Sequence, residues 1–281
     1  ISTRFDVSTT VSFNNLQALQ TINSDIKCTL LRIRTCPKLN SLPDELTVGS
    51  IEFCSLDLVG KLPRRIHFTG KNSNVGIERM NSLATIIATE WTAEHPEGNR
   101  AVVLSDCPQL RKVVDLNATS LSVRGLLTFP ELPRVFGNNP RCLEMSSCYQ
   151  VRNILPRGDQ ISLTDTLRLS DVNVPELPTG LKVGGDLYMS HNNALRRLPE
   201  QLEVKGGIYL NDLGTASPLT RFPSECTVGQ GITLNSGPLH FAPLSACMLQ
   251  WPGRKARMMF GFGLENIEVE DEDAVLLQHE I

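Results

Sequence analysis

Apolar side chains recur along this chain in one fixed order. Counting the first as position 1, they return at positions 3, 6, 9 and 12, and a proline often follows. The clearest copy is Leu187–Pro199, LYMSHNNALRRLP, in which Leu187, Met189, Leu195 and Leu198 are apolar, Asn192 takes position 6 and Pro199 closes the unit. In general form the unit reads L-x-L-x-x-N-x-x-L-x-x-L-P. Copies start at Val11, Leu31, Ile51, Val75, Val102, Leu121, Leu143, Leu167, Leu187, Ile208 and Ile232, about 22 residues apart on average. A chance pattern would not keep this order through eleven starts.

The spacing predicts the elements. Side chains alternate along a strand, so positions 1 and 3 lie on one face of a short strand. A single strand of this kind cannot hide its apolar face, so successive strands must stack in parallel on one another. Position 6 falls where the chain turns inward. An Asn amide suits it because it can bond backbone groups that the turn leaves unpaired, and Cys36, Cys107 and Cys148 take the same slot. After the LP pair comes a regular return limb: PDELTVGS from Pro43, PTGLKVGG from Pro178, PEQLEVKG from Pro199 and PSECTVGQ from Pro223. Proline fixes φ and removes a donor, so this limb is expected to run extended or polyproline-like rather than helical. A glycine is then expected to make the tight turn back. The exception is Ser82–Gly98, SLATIIATEWTAEHPEG, which has room for a helical turn or two. The expected organisation is an edge or cap over residues 1–10, repeats over 11–243, and a cap with an acidic tail over 244–281. Trp251, Met258, Met259 and Phe260 are the cap's apolar residues, and the tail from Glu265 to Asp273 reads as a surface segment or a linker.

Composition narrows the function classes. Of the 281 residues, 27 are Lys or Arg and 30 are Asp or Glu, and the basic residues form no block. Neutralising phosphates needs clustered cations, so a nucleic-acid partner is not expected. No apolar run approaches the roughly 18–20 residues that a membrane span needs. The opening ISTRFDVSTT has neither a basic segment nor an apolar one, so no signal peptide is read there. The absence of Met at position 1 suggests a trimmed or processed chain. Eight cysteines are too sparse for a disulfide framework and include no C-x-x-C pair. His67, His95, His191, His240 and His279 show no metal-binding spacing. There is no P-loop, no G-x-G-x-x-G and no G-x-S-x-G elbow. No catalytic residue, metal or cofactor is therefore assigned, and the chain is read as a non-enzyme. Cys54, at position 4, is the one thiol of these repeats expected to face outward.

The same alternation says where binding would occur. Positions 2, 4 and 5 project from the sheet, in line from one repeat to the next. In this frame Arg168, Tyr188 and Tyr209 form a column, flanked by Asp171, His191 and Asp212. Two of the three tyrosines thus share one position on adjacent strands. Tyr and Arg are enriched among interface hot spots, because they bury large areas yet keep a polar handle. The competing reading is of ordinary solvated sheet residues, with tyrosine chosen for its strand propensity. Mixed charge along the face favours a protein partner over a polyanion.

LRRLPEQLEVKGGIYL and VPELPTGLKVGGDLYM resemble the short, LP-containing leucine-rich repeats of bacterial proteins, most of all those of secreted effectors of the YopM and IpaH type. The resemblance covers about residues 11–243. It implies a curved horseshoe solenoid, with a parallel sheet on the concave face and a mostly extended or irregular convex side. It also implies a recognition surface for a host protein, delivered into the host cell by type III secretion. Some members add a C-terminal ubiquitin-ligase domain, so the alternative is the substrate-recognition part of a larger enzyme; the stretch after Pro243 is too short for that domain. The chain departs from the family pattern in its irregular unit lengths and in the Cys or Leu that often replaces Asn at position 6.

Overall fold

The computed structural model describes residues 5–6, 8–126, 140–152, 154, 162–211, 226–235, 256–258 and 267–269. The chain forms two compact units, Ile1–Phe129 with Pro133–Pro140 and Pro130–Leu132 with Arg141–Ile281. Both are coils of parallel strands. Each is a parallel β-solenoid, with about nine turns in all and no helix among the described residues.

In the first unit the principal strands are Thr10–Asn14, Ile26–Arg34, Glu45–Cys54, Asn72–Glu78, Asn99–Ser105 and Ser120–Arg124, each parallel to the next. In the second they are Cys142–Cys148, Leu167–Val172, Leu187–Ser190, Gly207–Asn211 and Gly231–Asn235. The register follows the apolar frame. Val11 lies opposite Leu31, Leu31 opposite Ile51, Ile51 opposite Val75, and Val75 opposite Val102. Leu143, Leu167, Leu187, Ile208 and Ile232 align likewise. A slip of one residue would turn every apolar side chain outward, so burial itself fixes this register. Positions 1 and 3 are buried in every repeat from Val11 to Leu210. Leu16 is an exception to the expected core, being 39% exposed at position 6 of the outermost turn.

The inward turn after each strand has one conformation. Asn15, Thr35, Ser55, Arg79, Asp106, Gly125, Ser147, Asp171 and His191, all at position 5, have φ between 49° and 62°. The amide there still reaches the next strand: Asn15 N donates to the Arg34 carbonyl at 3.0 Å, and His191 N to that of Asn211 at 3.1 Å. Position 6 then enters the core. The Asn192 amide donates to the Val174 carbonyl at 3.1 Å and accepts from Ala194 N at 3.2 Å. The Cys36 thiol donates weakly to the Phe13 carbonyl at 3.6 Å and Cys107 to that of Ile77 at 3.8 Å, so the thiols bond the preceding strand where Asn192 bonds a carbonyl beyond it. Cys28, Cys36, Cys54, Cys107, Cys142 and Cys148 are free thiols, and burial pushes the Cys107 thiol up to about 11.

The return limbs are extended and pair among themselves. In the second unit Ser162–Leu163, Lys182–Val183, Leu202–Val204 and Cys226–Val228 form a second parallel sheet. In the first, Arg65–Phe68 pairs with Glu45–Cys54 and with Trp91–Ala93, and Thr85–Ile87 pairs with Lys112–Val114. The helical turn expected within Ser82–Gly98 is absent: this stretch supplies the strands Thr85–Ile87 and Trp91–Ala93. Its Thr and Ile residues are β-branched, which favours pleated backbone over helix. The extra length makes room for an internal cluster in which Phe68 meets Trp91 edge to face at 6.2 Å and Trp91 Nε1 donates to the Pro63 carbonyl at 3.0 Å.

The repeat spacing predicts turn conformations at the glycines after the return limb. Gly49, Gly184 and Gly229 have no left-handed φ; what they supply is room. A Cβ on Gly49 would lie 2.5 Å from the Thr29 carbonyl oxygen, and one on Gly184 or Gly229 would overlap the Thr164 or Lys205 carbonyl. Of the expected C-terminal cap, only Ala256–Met258 and Ile267–Val269 are described, as an antiparallel pair of backbones. The side chains proposed for that cap lie outside the described residues.

Candidate functional site

Strand pairing aligns position 2 across the second unit as Glu144, Arg168, Tyr188 and Tyr209. The side chains form a ladder along that line. Arg168 Nη1 stands 3.3 Å from Glu144 Oε1. Its guanidinium carbon lies 4.8 Å from the centroid of the Tyr188 ring, a cation–π distance. Tyr188 in turn stacks on Tyr209, with centroids 4.6 Å apart and planes at 10°. The ladder borders solvent: the Arg168 and Glu144 side chains are 52% and 44% exposed, and both tyrosines are half-buried.

Both rings lie back along their strands. The Tyr188 hydroxyl donates to Asp186 Oδ2 at 2.9 Å, and Asp186 Oδ1 accepts from Gly207 N at 2.8 Å. The Tyr209 ring covers Gly207, where a Cβ would fall 2.9 Å from Cε2. A small residue two places before Tyr209 is therefore a condition for the stack. The Asp186 carboxylate raises the Tyr188 phenol above its ordinary value, first by accepting its proton in a hydrogen bond and then through burial and charge. Because the folded-state pKa is raised, the stabilisation is held below the unfolded value near 10 and lost as pH rises through the folded one. In Asp186→Asn, ultraviolet titration should show the Tyr188 ionisation moving down toward pH 10. An unmoved transition would mean that Asp186 does not hold that proton.

Beside this ladder runs a column of small polar residues at position 4: Ser146, Ser170, Ser190 and Asn211. Ser190 Oγ donates to Ser170 Oγ at 3.0 Å, and Ser170 Oγ donates to Asp171 Oδ2 at 3.4 Å. Position 5 follows, with Asp171 half-buried and His191 exposed, both on left-handed backbone. The structure thus unites three of the expected site residues, Arg168, Tyr188 and Tyr209, in direct contact. Asp171 and His191 sit on the same surface in a parallel column at position 5. Asp212 lies outside the described residues.

Glu144 and Asp186 complete the ladder, and the sequence reading did not single them out. Asp186 was legible in principle, because the alternation that turns positions 2 and 4 outward does the same for the residue just before position 1. In the first unit the corresponding face carries a charged cluster. Glu52 accepts from Arg32 Nε at 2.7 Å and from Arg34 Nη2 at 2.5 Å. These bonds hold the Glu52 carboxyl below the usual carboxylate range, Arg32 contributing most. Cys54 is half-buried there, with Arg79 Nη2 donating to its sulfur at 3.1 Å.

Among the described residues no group of three or more His, Cys, Asp or Glu side chains could hold a metal ion. No helix among them is long and apolar enough to cross a membrane. No family model matches the chain, and neither a curated protein nor a solved structure does.

Proposed function

We propose that this chain is a non-enzymatic protein-interaction module built on leucine-rich repeats, engaging its partner with the outward face of the principal sheet. The observation that carries the reading is the Glu144–Arg168–Tyr188–Tyr209 ladder. It gathers the chain's two adjacent tyrosines and an arginine on one half-exposed surface, the residue types that dominate interface hot spots. The repeat identity is supported by the common register of position 1 and by Asn192, whose amide bonds the turn as the motif requires. We infer further that the solenoid is curved with this face concave. The resemblance to YopM- and IpaH-type repeats makes a host protein the expected partner and delivery by a bacterium into the host cell the expected route.

The test is recovery of a partner from host lysate by the parent chain and by a Tyr188→Ala/Tyr209→Ala variant. Removing two hot-spot rings is expected to lower partner recovery at least tenfold, about 1.4 kcal/mol or more, while circular dichroism stays that of the parent. Equal recovery by a folded variant would move the binding surface elsewhere.

A further inference from the structure

The first turn of the first unit leaves a sheet edge open. Strand Thr10–Asn14 pairs with Ile26–Arg34 on one side, and among the described residues no strand pairs with its other side. The Thr9 carbonyl accepts from Thr29 N at 2.9 Å and Asn15 N donates to the Arg34 carbonyl at 3.0 Å, so the odd-numbered residues face the neighbouring strand. Thr10, Ser12 and Asn14 therefore turn their N–H and C=O groups to the free edge. Two apolar slots are open at the same end. Leu16, at position 6, is 39% exposed, and Leu19, at position 9, is half-buried. Their equivalents Cys36, Leu56 and Met80, and Leu39, Val59 and Leu83, are fully buried.

Free edges in native sheets are commonly kept from pairing by a charged side chain, lysine above all, or by proline. This one carries neither. From Val7 to Ser24 the sequence holds no Asp, Glu, Lys, Arg, His or Pro, in a chain of which 20% is charged. An edge meant for a different protein is ordinarily matched to it by complementary charge, and this edge offers none. Self-pairing makes the opposite demand. A two-fold interface sets the same patch against itself, so a charge near its axis would face its like.

We propose that strand Thr10–Asn14 pairs antiparallel with the same strand of a second copy of this chain, about a two-fold axis at Ser12. In that register Ser12 meets Ser12 of the second copy and Thr10 meets its Asn14. These are the residues whose backbone groups point outward, so every edge donor and acceptor of the strand finds a partner. Val11 falls opposite Phe13 of the second copy. Both lie on the core side, since the axis stands perpendicular to the sheet, and the apolar layer continues across it. A one-residue slip would set edge groups against inward ones and lose the bonds.

Sedimentation velocity of the 281-residue chain tests this. A monomer–dimer equilibrium is expected, with a Kd of about 10 μM as befits a small interface. Ser12 is exposed, so Ser12→Lys and Ser12→Glu should each keep the parent's circular dichroism. Each should raise the Kd at least tenfold by setting like charges across the axis. An equimolar mixture of the two should dimerise again, because a two-fold at Ser12 brings the lysine against the glutamate. Ser122→Lys, at the same outward position of Ser120–Arg124, should dimerise like the parent. A parent chain that stays monomeric at about 100 μM overturns the proposal. So does a ladder of trimers and larger species, the mark of head-to-tail stacking. An unchanged Kd in Ser12→Lys, or a mixture that stays monomeric, overturns it as well.

Discussion

Gly184→Val is expected to lower the stability of the second unit by about 3 kcal/mol, read as a fall in its urea midpoint at unchanged slope. The reason is backbone meeting backbone. A Cβ at this position would lie 2.8 Å from the Thr164 carbonyl carbon and 3.2 Å from its Cα, besides overlapping the oxygen. Neither atom can move alone, because Gly184 N donates to the Leu163 carbonyl at 2.8 Å and Gly185 N to that of Asp165 at 2.9 Å. The two turns would have to part, which breaks ladder bonds. The control is in the next turn: strand pairing puts Lys205 beside Val204, at the register that Gly184 holds beside Val183. A side chain is already accommodated there, so Lys205→Val should stay within about 0.5 kcal/mol. Equal effects of the two substitutions would show that local turn spacing is not what selects the glycine.

Arg100→Met should act in the opposite direction and stabilise the first unit by about 1–3 kcal/mol. Arg100 is only 7% exposed, and its Nε has no hydrogen-bond partner. One bond, from Nη1 to the Leu116 carbonyl at 3.3 Å, and the Phe68 ring 4.6 Å away are its compensation. Burial lowers the pKa of the group from its ordinary value, which is the same desolvation cost seen as a titration. A guanidinium nonetheless stays charged in proteins, so the cost cannot be relieved by losing the proton. Methionine keeps the length and offers sulfur to the Phe68 ring, at the loss of the Leu116 bond. A drop in urea midpoint in Arg100→Met would sink the idea that this charge is a net burden.

The register of the principal sheet was legible from the sequence because it rests on period two and on burial, and both are written in residue types. Leu187 opposite Ile208 follows from nothing more. The glycine corners were legible as positions but not in their cause. The sequence marks Gly184, whereas the closeness of Thr164 depends on how tightly two turns pack. Within Ser82–Gly98 the length leaves room for a helix, but the β-branched Thr85, Ile86 and Ile87 favour the strand that forms there. For the candidate site, the column Arg168–Tyr188–Tyr209 followed from counting. The contacts that tie it to Glu144 and Asp186 depend on rotamers, which counting does not fix. Nor did the repeat announce that Arg100 would point inward. Its strand neighbours Ser73 and Thr119 are small and polar, which marks a tight corner without saying where a long side chain placed there must go.

The left-handed residue at position 5 limits how this surface can diversify. Positions 2 and 4 accept any side chain that tolerates a strand, so new specificity can be written there at little cost. Position 5 is different: ordinary L-residues on such backbone cost about 1–2 kcal/mol each, with Gly, Asn and Asp the exceptions. Thr35, Arg79 and His191 already bear that strain, at φ of 53°, 49° and 50°. A repertoire built on this scaffold therefore has two free columns and one restricted to a short alphabet. Asp171, with its short polar side chain, belongs to that alphabet.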